Sequence, residues 1–191
     1  MSPIETVAFV LGVINIVLLV KRSIWNYPFA LAMVALYARV FFAAKLYSDA
    51  LLQVFFFAVN LYGWWQWRRA EAREGDIRVE LMSGGARFGW AAACAAGIAG
   101  WGWLMHRFTD ASYPWWDAGV AIVSVAAQIM LAKRWLENWV LWIGVDAVSI
   151  GLYAAKGLWL TMVLYAVFLA LATWGLIDWR NTRRAAGPAV A

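Results

Sequence analysis

Cysteine and histidine occur once each in these 191 residues, as Cys94 and His106. A disulfide framework, a Cys/His metal centre, an HExxH helix and a Cys–His nucleophile with its orienting group all need more than that. Thiol chemistry, a metal site and a resident cofactor are therefore not expected. Charge is scarce as well: 14% of residues are charged against 65% hydrophobic, and the mean hydropathy is +0.67. A soluble domain of this length cannot bury so much apolar surface, which makes the chain an integral membrane protein with the lipid bilayer as its surroundings. The net charge of +5 does not point to nucleic acid, because the basic residues sit in short loops and answer to membrane orientation.

What the sequence does contain is itself, twice, at an offset of 112 residues, the distance from Asn26 to Asn138. Lys21-Arg22 recurs as Lys133-Arg134, Leu46 as Leu158, Phe56 as Phe168, and Gly63 with Trp67-Arg68 as Gly175 with Trp179-Arg180; Glu5 and Asp117 share an acidic position. Two related bundles in a membrane can enclose a ligand site, as many transporters do.

Apolar stretches of about 20 residues, the length that crosses a bilayer, can be placed seven times: near 4–20, 24–44, 50–67, 88–105, 116–132, 136–155 and 158–179. The first is not expected to be a cleavable signal, since no positive charge precedes it and Lys21-Arg22 follows it. Twelve Lys and Arg residues fall on one side of these spans (Lys21, Arg22, Arg68, Arg69, Arg73, Arg78, Arg87, Lys133, Arg134, Arg180, Arg183, Arg184). Three fall on the other (Lys45, Arg107, Lys156), with Arg39 inside a helix near that end. The positive-inside rule then puts the N-terminus outside and the C-terminus in the cytoplasm. The expected organisation is a first three-helix repeat over 1–67, a cytoplasmic linker over 68–87, a single connecting helix over 88–106, a second repeat over 107–180 and a tail over 181–191. Four crossings precede the second triplet, so the repeats are parallel, and the fold class is all-α, seven transmembrane helices as 3+1+3.

Polar side chains inside the membrane are costly and mark a bundle interior or a cavity. Helical spacing puts Asp49, Gln53 and Asn60 on one stripe of the third span, and Asn138, Trp142, Asp146, Ser149 and Tyr153 on one stripe of the sixth. The fifth span adds Asp117, Ser124 and Gln128, and the seventh Thr161 and Tyr165. The repeat maps Asp49 onto Thr161, Gln53 onto Tyr165 and Tyr37 onto Ser149, whereas Ala30 and Val34 stand where the second half has Trp142 and Asp146. Equivalent faces with different decoration suit an asymmetric organic ligand better than a single ion. Asn26 and Asn138 fit either a bond between helices or a ligand contact, and Asp146 either a ligand contact or a structural hydrogen bond. Arg39 reads as snorkelling to the outer surface. Trp25, Trp64, Trp65, Trp67, Trp101, Trp103, Trp135, Trp139, Trp159 and Trp179 lie near span ends and read as headgroup-boundary anchors. Trp142 lies roughly 10 Å into its helix, on the face of Asp146, and reads as a ligand-stacking ring.

The run from Lys45 to Trp67 (KLYSDALLQVFFFAVNLYGWWQW) resembles the most recognisable stretch of the Pnu family of B-vitamin transporters. Glu137 to Trp142 (ENWVLW), the run from Lys156 to Tyr165 (KGLWLTMVLY) and Trp116-Asp117 resemble that family's second-half motifs. The resemblance implies a seven-helix, SWEET-like protein of the bacterial inner membrane, forming homotrimers. It also implies facilitated diffusion of an unphosphorylated vitamin, trapped by a cytoplasmic vitamin kinase. Nicotinamide riboside is the leading cargo, with thiamin and riboflavin as alternatives. Trp142, with Tyr165 or Trp116, would stack on the flat ring, and Asp49, Gln53, Asn60, Gln128, Asn138 and Asp146 would bond its hydroxyls and amide. None of the polar stripes contains Lys or Arg, so a phosphorylated cargo should be rejected. A membrane enzyme is the competing class: Asp49, Asp117 and Asp146 can be imagined as an acid/base pair, but no nucleophile, metal cluster or Gly-rich phosphate loop accompanies them. A third class, an assembly subunit without a ligand, predicts no saturable binding.

Overall fold

The structure is a computed structural model that describes residues 3–43, 47–109, 113–155, 157 and 159–185, with the side chains of residues 5, 41, 47–51, 74, 160 and 161 outside the described set. Seven helices run through the described residues: α1 (Pro3–Val20), α2 (Asn26–Ala43), α3 (Tyr47–Glu74), α4 (Gly84–Phe108), α5 (Pro114–Ala132), α6 (Glu137–Ala155) and α7 (Trp159–Ala185). The one β contact among the described residues is an isolated parallel bridge pairing Glu80 with Trp135. The fold is thus an all-α membrane protein, each helix overlapping one expected span. Helices α4 to α7 contain segments apolar and long enough to cross a bilayer by length and composition alone, while the apolar run Thr6–Val20 of α1 is shorter. Helix α3 continues to Glu74, so the non-helical connection to α4 covers only 75–83.

The chain divides into two compact units. The first holds Met1–Val79, Ala132–Arg134 and Ile177–Ala191. In it α2 packs against both α1 and α3. Helix α1 ends in a Schellman-type turn: Ser23 N–H donates to Leu18 O at 2.9 Å and Arg22 N–H to Leu19 O at 2.9 Å, with Arg22 in the left-handed region at φ 53°. Glycine usually fills that position, because a Cβ there costs about 1–2 kcal/mol. Arginine is placed there for its side chain, since Nη1 donates to Asp178 at 3.0 Å and to Thr182 at 2.7 Å on the last turns of α7. Beside it Trp179 Nε1 donates to Val20 O (3.1 Å) at the helix end and to Leu19 O (3.3 Å), which also accepts from Arg22 N–H.

The second unit holds Glu80–Leu131 and Trp135–Leu176. The α5–α6 connection, whose residues 132–134 belong to the first unit, reproduces the α1–α2 connection at the 112-residue offset. Arg134 has φ 62°, and Trp135 N–H donates to Met130 O at 3.0 Å. Asn138 N–H donates to Trp135 O at 3.1 Å, as Asn26 N–H does to Ser23 O at 3.1 Å. Tight helix contacts recur at the same offset. A Cβ on Gly63 would lie 2.7 Å from the Tyr27 hydroxyl, and one on Gly175 would lie 2.6 Å from the Trp139 ring. Both glycines are there so that an aromatic ring can lie directly on a helix backbone.

Those contacts correct part of the tryptophan reading. Trp67, Trp139 and Trp179, expected as boundary anchors, are core residues with 0, 2 and 0% exposure. Trp67 and Trp179 are not helix ends, because α3 and α7 run on to Glu74 and Ala185. Their rings meet each other at 6.1 Å, and Trp67 takes Tyr27 edge-on at 5.4 Å. Trp139 lies against Gly175. By contrast Trp25, Trp65, Trp101, Trp103 and Trp159 are exposed, as boundary anchors should be. Arg39 is exposed too.

Candidate functional site

Helix α6 carries the most developed polar face. At 3.6 residues per turn, Asn138, Trp142, Asp146, Ser149 and Tyr153 fall within about 80° of one another. Burial shows which way that stripe points: Asn138, Asp146 and Ser149 are 0, 4 and 0% exposed, whereas Val140 and Val148 on the other side are 52 and 38% exposed. Apolar residues face lipid and polar ones face protein, the reverse of a soluble helix.

The polar atoms on that stripe are only partly occupied. Asn138 Nδ2 donates to Trp135 O at 2.6 Å, which fastens the turn leading into its own helix; Asn26 Nδ2 does the same to Ser23 O at 2.7 Å. Each amide nitrogen thus makes a bond local to its turn. Asn138 Oδ1 and Ser149 Oγ, both buried, have no hydrogen-bond partner among the described residues. No hydrogen bond reaches the Asp146 carboxylate among the described residues either. An unmet buried polar group costs about 1–3 kcal/mol, so Asn138 Oδ1 and Ser149 Oγ are expensive unless something else satisfies them. Trp142, half-buried, stands within the row.

Helix α7 flanks the same side. Tyr153 of α6 and Tyr165 of α7 lie with ring centroids 5.1 Å apart and 31° between planes, and Tyr165 meets Phe168 edge-on at 5.9 Å. Ser149 and Tyr153 were not among the predicted contacts, although their spacing had placed them on the stripe. Helix α5 contributes Ser124 and Gln128, 7 and 8% exposed. Trp116 is not brought to the row. Its ring lies over Gly151, 3.5 Å from where a Cβ would be, and that residue points about 160° around α6 from Ser149 and Tyr153. It is 40% exposed and edge-on to Tyr113.

In the first unit Asn60 is 5% exposed and its Nδ2 donates to Phe56 O at 2.9 Å; Gln53 is half-buried. The side chains of Asp49 and of its repeat counterpart Thr161 lie outside the described residues. Sequence reasoning passed over Asn15, whose Oδ1 is buried without a hydrogen-bond partner among the described residues. A lone amide in the apolar run of α1 was the available signal. Among the described residues no group of three or more His, Cys, Asp or Glu side chains is placed to hold a metal ion.

Chemically, the α6 face offers acceptors and a hydroxyl in line beside an indole ring and contains no cation. That arrangement suits an uncharged or cationic flat molecule with several hydrogen-bonding groups. Compared with known proteins, the chain matches the profile of the family described as "Nicotinamide mononucleotide transporter" over residues 2–181. It is 28% identical to the nicotinamide riboside transporter PnuC of Escherichia coli (strain K12), over 98% of this chain and 89% of that protein. The riboflavin/roseoflavin transporter RibM of Streptomyces davaonensis is 31% identical over 92% of this chain and 83% of its own length. The nicotinamide riboside transporter PnuC of Neisseria mucosa is 30% identical over 93% and 72%. Among solved structures, the crystal structure of the vitamin B3 transporter PnuC matches with a TM-score of 0.77 and 26% identity, covering 95% of this chain and 82% of that one.

Proposed function

Because the chain belongs to the nicotinamide mononucleotide transporter family, we propose that it carries nicotinamide riboside across the bacterial inner membrane by facilitated diffusion. A cytoplasmic vitamin kinase traps the cargo by phosphorylation. The protein is a carrier and not an enzyme, and returns its ligand intact. It works as a homotrimer with the N-terminus outside and the C-terminus in the cytoplasm. Each chain is built as 3+1+3, from parallel repeats at 1–67 and 107–180 joined through the linker 68–87 and the helix 88–106. The recurrence of turn hydrogen bonds and of the Gly63 and Gly175 contacts at one offset supports this duplication.

The observation that carries the reading is the α6 row. Asn138 Oδ1, Asp146 and Ser149 Oγ meet the ribose hydroxyls and the amide, and Trp142 stacks on the pyridinium, where a cation–π contact adds up to about 2 kcal/mol once desolvated. Tyr165, held by Tyr153, borders the ring, and Gln128 is a further polar contact. Riboflavin is the second reading, favoured by the 31% identity to RibM.

Although the family's description names the mononucleotide, a phosphate bearing about −1.5 to −2 charges would enter a row with no Lys or Arg and lose its water there without a partner. With purified protein in liposomes, nicotinamide riboside should equilibrate across the membrane while its mononucleotide stays out. Collapsing the proton gradient should leave that uptake unchanged. Equal entry of both compounds would contradict the assignment of the row, and uptake abolished by the protonophore would contradict uniport.

A further inference from the structure

The two equivalent turns of this protein are fastened by different means. The turn at Arg22 is held by the end of α7, through Asp178, Thr182 and Trp179. The turn before α6 is held by the connection between α3 and α4. Leu136 N–H donates to Glu80 O at 2.9 Å within the parallel bridge of Glu80 with Trp135. Two residues further on, Met82 N–H donates to both carboxylate oxygens of Glu137, at 3.2 and 3.3 Å.

Glu137 also receives Arg87 of α4. Arg87 Nε donates to Oε1 at 2.9 Å, and Nη2 stands 2.7 Å from the same oxygen. Arg87 is 52% exposed, which by itself would mark a weak surface pair. The Glu137 side chain is only 18% exposed, and a backbone N–H shares its carboxylate. Met82 is itself buried with Ala126 and Met130, and Trp90, Trp135 and Leu141 pack around them. The segment is therefore bound on its apolar side as well as its polar one. At the corresponding position of the first half the residue is Trp25, 66% exposed, so this fastening belongs to the second turn.

Glu137 opens α6 and directly precedes Asn138, the first member of the polar row. We propose that Glu137 is a positioning residue: by tying Glu80–Ser83 and the first turn of α4 to the first turn of α6, it sets the depth and rotation at which α6 presents Asn138, Trp142 and Asp146. The fastening stands on its own contacts; its effect on cargo rests on the transport reading above. The linker is on this account a working part of the carrier.

The test compares Glu137→Ala, Glu137→Gln and Arg87→Ala with the wild-type protein by amide hydrogen exchange and by nicotinamide riboside binding, both well below the melting temperature. In Glu137→Ala, exchange should quicken by about tenfold or more over 80–83 and over 137–146, with the first turns of α2 unchanged. The dissociation constant of the folded protein should rise about tenfold. Glu137→Gln keeps an acceptor for Met82 N–H and Arg87→Ala keeps the carboxylate, so both should show smaller shifts; they also carry the comparison should Glu137→Ala not fold. Wild-type exchange over 137–146 in all the folded variants overturns the proposal, whatever their melting temperatures. Faster exchange with unaltered affinity likewise overturns the positioning role. A wild-type protein that binds no vitamin removes the cargo reading, and the exchange comparison then decides the fastening alone.

Discussion

Replacing Trp142 with alanine raises the dissociation constant for nicotinamide riboside by roughly ten- to a hundredfold, since losing one aromatic platform costs ~1–3 kcal/mol per stacked ring, by analogy with bases on aromatics. The ring is half-buried, stands in the row of Asn138, Asp146 and Ser149 and, unlike Trp139, is not pressed onto a glycine backbone among the described residues. Truncating it therefore removes a binding surface and leaves the bundle standing. Titration of the variant by calorimetry, with a thermal melt to establish that it is folded, measures this. A folded Trp142→Ala protein with wild-type affinity would take Trp142 out of the site.

Trp139→Ala has the opposite signature. Three residues away in sequence and about 60° around the helix, Trp139 is 2% exposed and fills the space over Gly175. Its removal leaves a large cavity against a backbone that has no side chain with which to fill it. Burial of this kind puts the loss at about 3–5 kcal/mol of stability, seen as a markedly lowered melting temperature or failure to accumulate. The fraction that folds should bind with near wild-type affinity. A stable Trp139→Ala protein with weakened binding would exchange the roles of the two rings.

That pair also shows what the sequence could and could not disclose. The all-α membrane fold was legible because an apolar run long enough to cross a bilayer is read without knowledge of its neighbours. Trp67, Trp139 and Trp179 were misread because nearness to an apolar run's end was taken for nearness to the headgroups. Helices α3 and α7 continue past their tryptophans on Arg-containing turns that no hydropathy window counts as helix. The glycines that receive two of the aromatic rings were in view as repeated residues, Gly63 and Gly175, but not as contacts. The turn-closing bonds of the Asn26 and Asn138 amide nitrogens were not foreseen, because they require knowing the carbonyl three residues back. The Glu137–Arg87 pair joins residues fifty positions apart with no local spacing to announce it. Trp116 stood near the right helix by sequence and lies on its other side by packing.

The most direct measurement is uptake of nicotinamide riboside, riboflavin and thiamin, each alone and in competition, into liposomes carrying the purified protein. Saturable entry of nicotinamide riboside, recovered chemically unchanged and not displaced by the other two, is the predicted result. Preferential entry of riboflavin or thiamin, or no saturable entry of any of the three, would contradict it.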